Sequence, residues 1–192
     1  MIIKRNNLKR GEMLIRGELI WIGLLLMSTR YYNHGNIITK FVFRPFRDVR
    51  HMNEVMIERH NSRVKNNDVV YHLGDFKLST QELTVYDIIQ RLNGRHVFIR
   101  GNHDKNNGLS STLEYAVIKS YGHQILLIHK PEKAIELLDK LNLNLAFVGH
   151  VHELWKFQII ENKTLINVGV DQWDFYPVDI KQIFKAIDIK RG

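Results

Sequence analysis

The segment Val69-Val70-Tyr71-His72-Leu73-Gly74-Asp75 runs from β-branched and apolar residues into a glycine and a carboxylate. Such a run predicts a buried strand that ends in a polar residue. Three further segments have the same plan, and their polar ends are Gly101-Asn102-His103-Asp104, Ile128-His129 and Gly149-His150-Val151-His152. Because ligands bind beyond the carboxyl ends of the strands in an α/β sheet, we expect the four ends to deliver their side chains to one place.

Helical patterns separate these predicted strands. Apolar residues recur at helical spacing after Pro45, and Pro131 suits the first turn of another helix. A capping box at Ser79-Thr80-Gln81-Glu82 precedes a pattern that ends near Asn93-Gly94. The predicted helices lie at residues 46–64, 83–92, 131–141 and 180–187, and additional strands at residues 19–27, 154–160 and 164–170. Strands that alternate with helices and end in a hairpin indicate an α/β protein with a mixed sheet or two packed sheets.

Composition limits the classes of protein and of ligand. The chain has 192 residues and no cysteine, so we expect one domain at residues 18–192 and metal ligands of oxygen and imidazole nitrogen, which favour Mn, Fe, Zn or Mg. Residues 1–17 form a basic extension, and the net charge of +8 suits polyanionic ligands or simply a solvated basic surface. The apolar run at residues 19–27 is too short to span a bilayer, and no signal-peptide cleavage site follows it. We therefore expect a cytoplasmic protein that does not enter a membrane.

The polar strand ends have the composition of a metal site. An ionised Asp75 can bridge two cations through its two oxygens, and Asn102 offers a neutral oxygen. His129, His150 and His152 offer imidazole nitrogens. The last two lie two residues apart, so in an extended segment both side chains point to the same side.

A catalytic pair lies next to the predicted ligands. His103 is adjacent to Asn102, so its ring can act on a substrate held at the metal site. Asp104 follows directly and is predicted to orient that ring.

These motifs resemble those of the calcineurin-like metallophosphoesterases, whose ordered motifs are D-x-H, G-D, G-N-H-D, H and G-H-x-H. All but the first are present. The similarity extends from about Ser28 to the C-terminus and is greatest to the small prokaryotic, archaeal and phage branch of the family. It includes Asn36-Ile37-Ile38, Arg44-Pro45-Phe46, Met52-Asn53-Glu54, Tyr71 to Phe76, Asn167 to Asp171, Trp173 and Pro177-Val178.

The resemblance implies a four-layer α/β/β/α sandwich in which helices flank two mixed sheets. It also implies two divalent metals, with Mn favoured over Fe, Zn or Ni, which bind phosphate oxygens and supply hydroxide near neutral pH. Asp75 would bridge the two metals, His152 would belong to one site, and His103 would protonate or stabilise the leaving oxygen. The other site would comprise Asp75, Asn102, His129 and His150.

The first family motif is altered in this chain. Thr29 and Tyr31 stand where the family has the aspartate and histidine of D-x-H. One explanation is loss of the second metal, leaving one metal and little activity. A second is that Tyr31, as a phenolate, or His34 rebuilds the site. A third is a reading-frame slip or altered start within residues 19–30, which sequencing the gene would detect.

Three functions are consistent with these sequence features. The first is a metal-dependent phosphoesterase that uses a metal-bound hydroxide on phosphomono- or diesters, including nucleotides or nucleic acid, with one metal site impaired. The second is a catalytically inactive relative that serves as a binding or scaffold protein. The third is nucleic-acid binding through the basic extension, which predicts binding that weakens steeply with salt. The sequence does not specify an oligomeric state.

Overall fold

The computed structural model describes residues 20–22, 44–77, 84–104, 108–109 and 112–191, with the backbone alone for residues 20–22, 49 and 188–191. The predicted basic extension at residues 1–17 and the capping box at residues 79–82 lie outside these ranges. The strands are β1 (Ile20–Ile22), β2 (Val69–Leu73), β3 (Arg95–Ile99), β4 (Tyr115–Ser120), β5 (His123–Ile128), β6 (Leu145–Val148), β7 (Phe157–Ile160), β8 (Lys163–Asn167) and β9 (Val178–Asp179). The helices are α1 (Val49–Arg63), α2 (Val85–Ile89), α3 (Pro131–Leu141) and α4 (Ile180–Arg191), with a 3₁₀ turn at Val170–Gln172.

The strands form two mixed sheets. The first sheet has the order β3-β2-β1-β9, in which β9 is antiparallel to its neighbour and the other pairs are parallel. The second has the order β4-β5-β6-β8-β7, in which the two outer pairs are antiparallel and the inner pairs are parallel. Because β2 and β3 are parallel neighbours, and β5 and β6 likewise, the carboxyl ends of each pair lie at one edge of their sheet.

The main core lies between the two sheets and continues to α4. Buried Tyr71 and Leu73 of β2 share one apolar cluster with Phe147 of β6 and Ile183 of α4. Separate clusters cover the outer faces, where α3 packs on β5 and β6, and α1 and α2 pack beside the first sheet. The predicted four-layer α/β/β/α sandwich is therefore confirmed.

Most predicted elements occur where the sequence places them, with differences at their ends. The segment expected as a helix at residues 83–92 is helical over Val85–Ile89 and begins at Thr84, which forms a capping box with Asp87. Arg91 and Leu92 continue it in tighter turns, because their N–H groups bond to carbonyls three residues back. The hairpin strands are shorter than residues 154–160 and 164–170, because their pairing begins at Phe157 and ends at Asn167.

Within the described ranges, none of the helices combines the length and apolar character that crossing a lipid bilayer requires.

Candidate metal centre

Polar atoms from four strand ends meet at the ring of His129, which follows β5. Its Nε2 atom lies 3.0 Å from Asn102 Oδ1 and 3.2 Å from Asp75 Oδ2. His150 Nδ1 is 3.2 Å from the same nitrogen. The expected convergence of the strand ends therefore occurs for four of the residues that were predicted as metal ligands.

The hydrogen bonds of His129 show which of its nitrogens faces the site. His129 Nδ1 lies 2.7 Å from the carbonyl oxygen of Leu73, and a carbonyl only accepts, so Nδ1 carries the proton. Nε2 is then the nitrogen that faces the oxygens of Asp75 and Asn102. A second proton on the ring could be donated to only one of these neighbouring oxygens, whereas a cation could bind all of these atoms at once.

The donor set fits a divalent cation. Ligand atoms of Asp75, His129 and His150 all lie within 4.8 Å of one another, and Asp75 and His129 are buried. One carboxylate, one amide oxygen and two imidazoles suit Mn, Fe or Zn. The hydrogen bond from His129 Nδ1 to the carbonyl oxygen of Leu73 fixes the ring in the orientation that a ligand needs.

Asp104 joins the Asp75 turn to the Gly101 turn. Its Oδ2 accepts hydrogen bonds from the backbone N–H groups of Asp75 and Gly101, both at 2.8 Å, and its Oδ1 accepts one from Phe76 at 2.9 Å. These bonds make it a positioning residue for the metal centre. Its predicted role in orienting the ring of His103 stays a prediction.

Close packing and an uncommon backbone conformation accompany this turn. A Cβ atom on Gly101 would overlap the backbone nitrogen and the carboxylate of Asp75, so only glycine allows this approach. Asp75, His150 and His152 have positive φ values of 55°, 71° and 44°. Such conformations cost free energy in non-glycine residues and cluster at functional sites.

Electrostatics keep the site in the protonation state that binds a cation. Burial opposes ionisation of Asp75, but the ring of His129 and the N–H of His103 outweigh it and hold the carboxyl pKa below its usual value. Burial, with the charges of His129 and Lys130, also lowers the pKa of His150. At neutral pH Asp75 is thus an anion and His150 a neutral ring.

His103 has an exposed side chain beside the centre. Its backbone N–H donates a 2.8 Å hydrogen bond to Asp75 Oδ1. The backbone of His103 therefore supports a ligand, while its ring is accessible to a bound substrate.

His152 lies beside a different carboxylate. Its Nδ1 is 3.6 Å from Asp171 Oδ2. Among the described residues, the group of ligand atoms around His129 does not include His152. Asp171 is held by Arg44 through two hydrogen bonds of 2.7 and 2.8 Å, and both side chains are buried. The backbone carbonyl of His152 accepts hydrogen bonds from the side chains of Asn167 and Gln172.

The sequence reasoning gave Arg44 and Asp171 no role at the site. A signal was present, because Asn167 ends β8 and Val168-Gly169-Val170-Asp171 follows it, as the other polar segments follow their strands. Thr29, Tyr31 and His34 lie outside the described residues, so the expected second metal site beside Asp75 and His152 stays a prediction.

Comparison with known proteins identifies the family. A model of the calcineurin-like phosphoesterase superfamily domain matches residues 49–177, and the chain belongs to this family. The uncharacterised protein MJ1445 of Methanocaldococcus jannaschii is 36% identical over 170 residues, which cover 86% of this chain and 91% of that protein.

Solved structures with this fold include a protein of unknown function, AQ665, from Aquifex aeolicus. It has a TM-score of 0.66 and 26% identity, and the match covers 88% of this chain and 98% of AQ665. Vps29 of Entamoeba histolytica, solved with zinc, has a TM-score of 0.47 and 21% identity, over 79% of this chain and 74% of that chain. The resemblance to calcineurin-like metallophosphoesterases is confirmed, and the family is one of metal-dependent phosphoesterases.

Proposed function

We propose that this protein hydrolyses phosphomono- or diesters at a centre held by Asp75, Asn102, His129 and His150, with manganese as the first metal to test. The observation that carries the proposal is the approach of the Asp75 and Asn102 oxygens to Nε2 of His129, at 3.2 and 3.0 Å. Acceptors gathered in this way need a cation between them. The family membership supports the same chemistry.

The roles of the chain's own residues follow from this geometry. A divalent cation, when bound, supplies the positive charge that polarises a phosphate ester and lowers the pKa of water. Asp75 and His129 orient the site, since both are buried and held by backbone hydrogen bonds. The ring of His103, which is exposed, would give a proton to the departing oxygen.

A second candidate is a non-catalytic binding protein of the same family. Thr29 and Tyr31 favour it, because a hydroxyl and a phenol replace an aspartate and a histidine of the family motif. Measurement of bound metal together with turnover distinguishes the enzyme from the binding protein.

The test measures bound metal and hydrolysis of bis(p-nitrophenyl) phosphate by the full chain loaded with manganese. Asp75→Asn should lose metal and at least about 100-fold in kcat, because a neutral amide replaces the anionic ligand. His103→Ala should retain metal, since its backbone N–H is unchanged, and lose about 100-fold in kcat. EDTA should abolish turnover by the wild type.

Two exposed residues provide matched controls. Asp174→Asn and His123→Ala make the same chemical changes at exposed positions and should leave metal content and turnover unchanged. Turnover by the wild type no greater than that of Asp75→Asn would refute the enzymatic proposal and support the binding protein.

A further inference from the structure

A cavity of about 450 Å³ adjoins the metal centre. The two are continuous because Asn102 and His129, which contribute to the centre, also line the cavity. A volume of this size is typical of pockets that bind small organic ligands. A group that leaves the metal centre can therefore occupy the cavity without moving away from the protein.

One wall of the cavity is apolar. Tyr115 of β4 and Ile128 of β5 are direct partners across the antiparallel pair, and Leu137 of α3 packs in the same cluster. Ile128 is buried, whereas Tyr115 and Leu137 are partly buried. Two strands and a helix fix these side chains, so they form a rigid surface suited to a planar ring.

The remaining lining is strongly basic. Arg100, Lys130 and Lys133 line it together with one carboxylate, that of Glu114, and Lys130 also forms an ion pair with Glu132 at 3.6 Å. The guanidinium of Arg100 is oriented by Thr112 Oγ1 at 3.0 Å and by Glu114 at 3.2 Å. Arg100 and Lys130 each have a carboxylate partner, whereas Lys133 has no ion pair among the described residues. The cavity therefore favours a ligand with its own negative charge in addition to the phosphate at the metal centre.

Resting on the proposed function, we propose that the cavity receives the departing nucleotide of a short 5′-phosphorylated oligonucleotide. The base lies on the wall of Tyr115, Ile128 and Leu137, and the 5′-phosphate of the same nucleotide lies among Arg100, Lys130 and Lys133. The diester on its 3′ side then lies at the metal centre. One nucleotide carries both a planar base and a 5′-phosphate. The base matches the apolar wall, and the 5′-phosphate matches the positive charge beside the metal site.

The reaction is ordinary hydrolysis of that diester. The oxygen of water bonds to phosphorus, the bond from phosphorus to the 3′ oxygen breaks, and the departing 3′ oxygen takes the proton. The dinucleotide pdApdA would yield two molecules of 5′-dAMP. The related dinucleotide dApdA would yield deoxyadenosine and 5′-dAMP, with no phosphate on the departing part.

The kinetic test compares kcat/KM for pdApdA and dApdA with the manganese-loaded full chain. The wild type should prefer pdApdA by at least about tenfold, the effect of one good charged contact. Lys133→Ala should reduce this ratio to near one, and taking the ratio cancels any general loss of activity. Lys140→Ala, on the same helix and outside the cavity lining, should retain the wild-type ratio.

A binding measurement keeps the test independent of turnover. By calorimetry, 5′-dAMP should bind the wild type at least about tenfold more tightly than deoxyadenosine, and Lys133→Ala should remove the difference. Equal affinities, or equal kcat/KM for the two dinucleotides, would overturn the cavity assignment even if bis(p-nitrophenyl) phosphate is hydrolysed. Preference for a nucleoside triphosphate over pdApdA would also overturn it. If the wild type hydrolyses no ester, the proposed function fails and the binding ratio alone decides the cavity.

Discussion

At the scale of single residues, the candidate metal centre depends on a carboxylate that binds backbone N–H groups. Asp104 accepts three backbone hydrogen bonds, and these hold the turn of Asp75 against the turn of Gly101. Sequence reasoning placed Asp104 at the site because of its motif. It could not predict these partners, because they depend on how two separate turns pack together.

We expect Asp104→Asn to destabilise the fold and weaken metal binding. Asparagine has one acceptor oxygen instead of two and sets an NH₂ group against backbone donors, which should lower the free energy of unfolding by about 2–4 kcal/mol. Urea unfolding and manganese titration measure the two effects. Asp174→Asn changes an exposed carboxylate and is the control. Wild-type stability of Asp104→Asn would show that these hydrogen bonds do not stabilise the turn.

At the scale of elements, the local pattern predicted strands better than it predicted their partners. β3, β5 and β6 begin and end at or within a residue of the apolar runs predicted at residues 96–99, 124–128 and 145–148, whereas β2 continues two residues beyond Val69-Val70-Tyr71. α3 begins at Pro131 and ends at Leu141 as predicted, because proline at its first turn and an αL residue, Asn142, after its last mark both ends.

The contacts between elements were less accessible to sequence reasoning. The bond from Arg44 to Asp171 joins residues 127 positions apart, and no local pattern indicates a pairing at that distance. The same limit applies to the cavity beside the metal centre, whose lining combines β4, β5 and α3 with two loops. The positions of the strand ends predicted where the metal ligands meet. The packing of distant elements decides which residues surround those ligands.

α1 is attached to the first sheet through a buried histidine that should make the fold sensitive to acid. His60 Nε2 donates to the carbonyl of Asn93 at 2.8 Å, and its Nδ1 is buried without a hydrogen-bond partner among the described residues. Burial, with a smaller contribution from the charge of His96, lowers the pKa of His60 to about 4, although the Asn93 carbonyl opposes the shift. The ordinary value in the unfolded chain is 6.5.

Stability should therefore decrease as the pH falls from 6.5 towards 4. In this window the unfolded chain binds a proton at His60 that the folded chain does not, which costs up to roughly 3 kcal/mol of unfolding free energy. His60→Gln keeps a donor for Asn93 and cannot titrate, so its stability should depend less on pH. His123→Gln, at an exposed position, should keep the wild-type slope in urea unfolding between pH 7.5 and 5. Equal slopes for all three proteins would contradict the prediction.

At the scale of the whole molecule, one buried ion pair connects distant parts of the chain. The side chains of Arg44 and Asp171 are 2% and 4% exposed, and Arg44 precedes α1 while Asp171 lies in the 3₁₀ turn after β8. A buried charge whose partner is removed is unfavourable. The pair therefore makes the packing of the two segments interdependent.

Arg44→Met should lower the unfolding free energy by about 3–5 kcal/mol, because it leaves the Asp171 carboxylate buried with only the ring of His152, 3.6 Å away, beside it. The double variant Arg44→Met with Asp171→Leu should lose less than the single variant, since it has no uncompensated charge. Arg47→Met removes an exposed pair with Asp48 and should cost at most about 1 kcal/mol. Losses that simply add in the double variant would show that the two residues act independently.

The position of β9 determines when the first sheet can be completed. β9 pairs with β1 through Trp21 opposite Asp179 and Ile22 opposite Val178, so the neighbours in this sheet come from opposite ends of the described chain. During synthesis on the ribosome, β1, β2 and β3 emerge long before β9, and the edge of β1 has unpaired backbone groups in that interval. Such an edge is a template for strands of other chains. Closure of the first sheet is thus a late step in biogenesis, and crowding of nascent chains is the condition under which this protein is most exposed to aggregation.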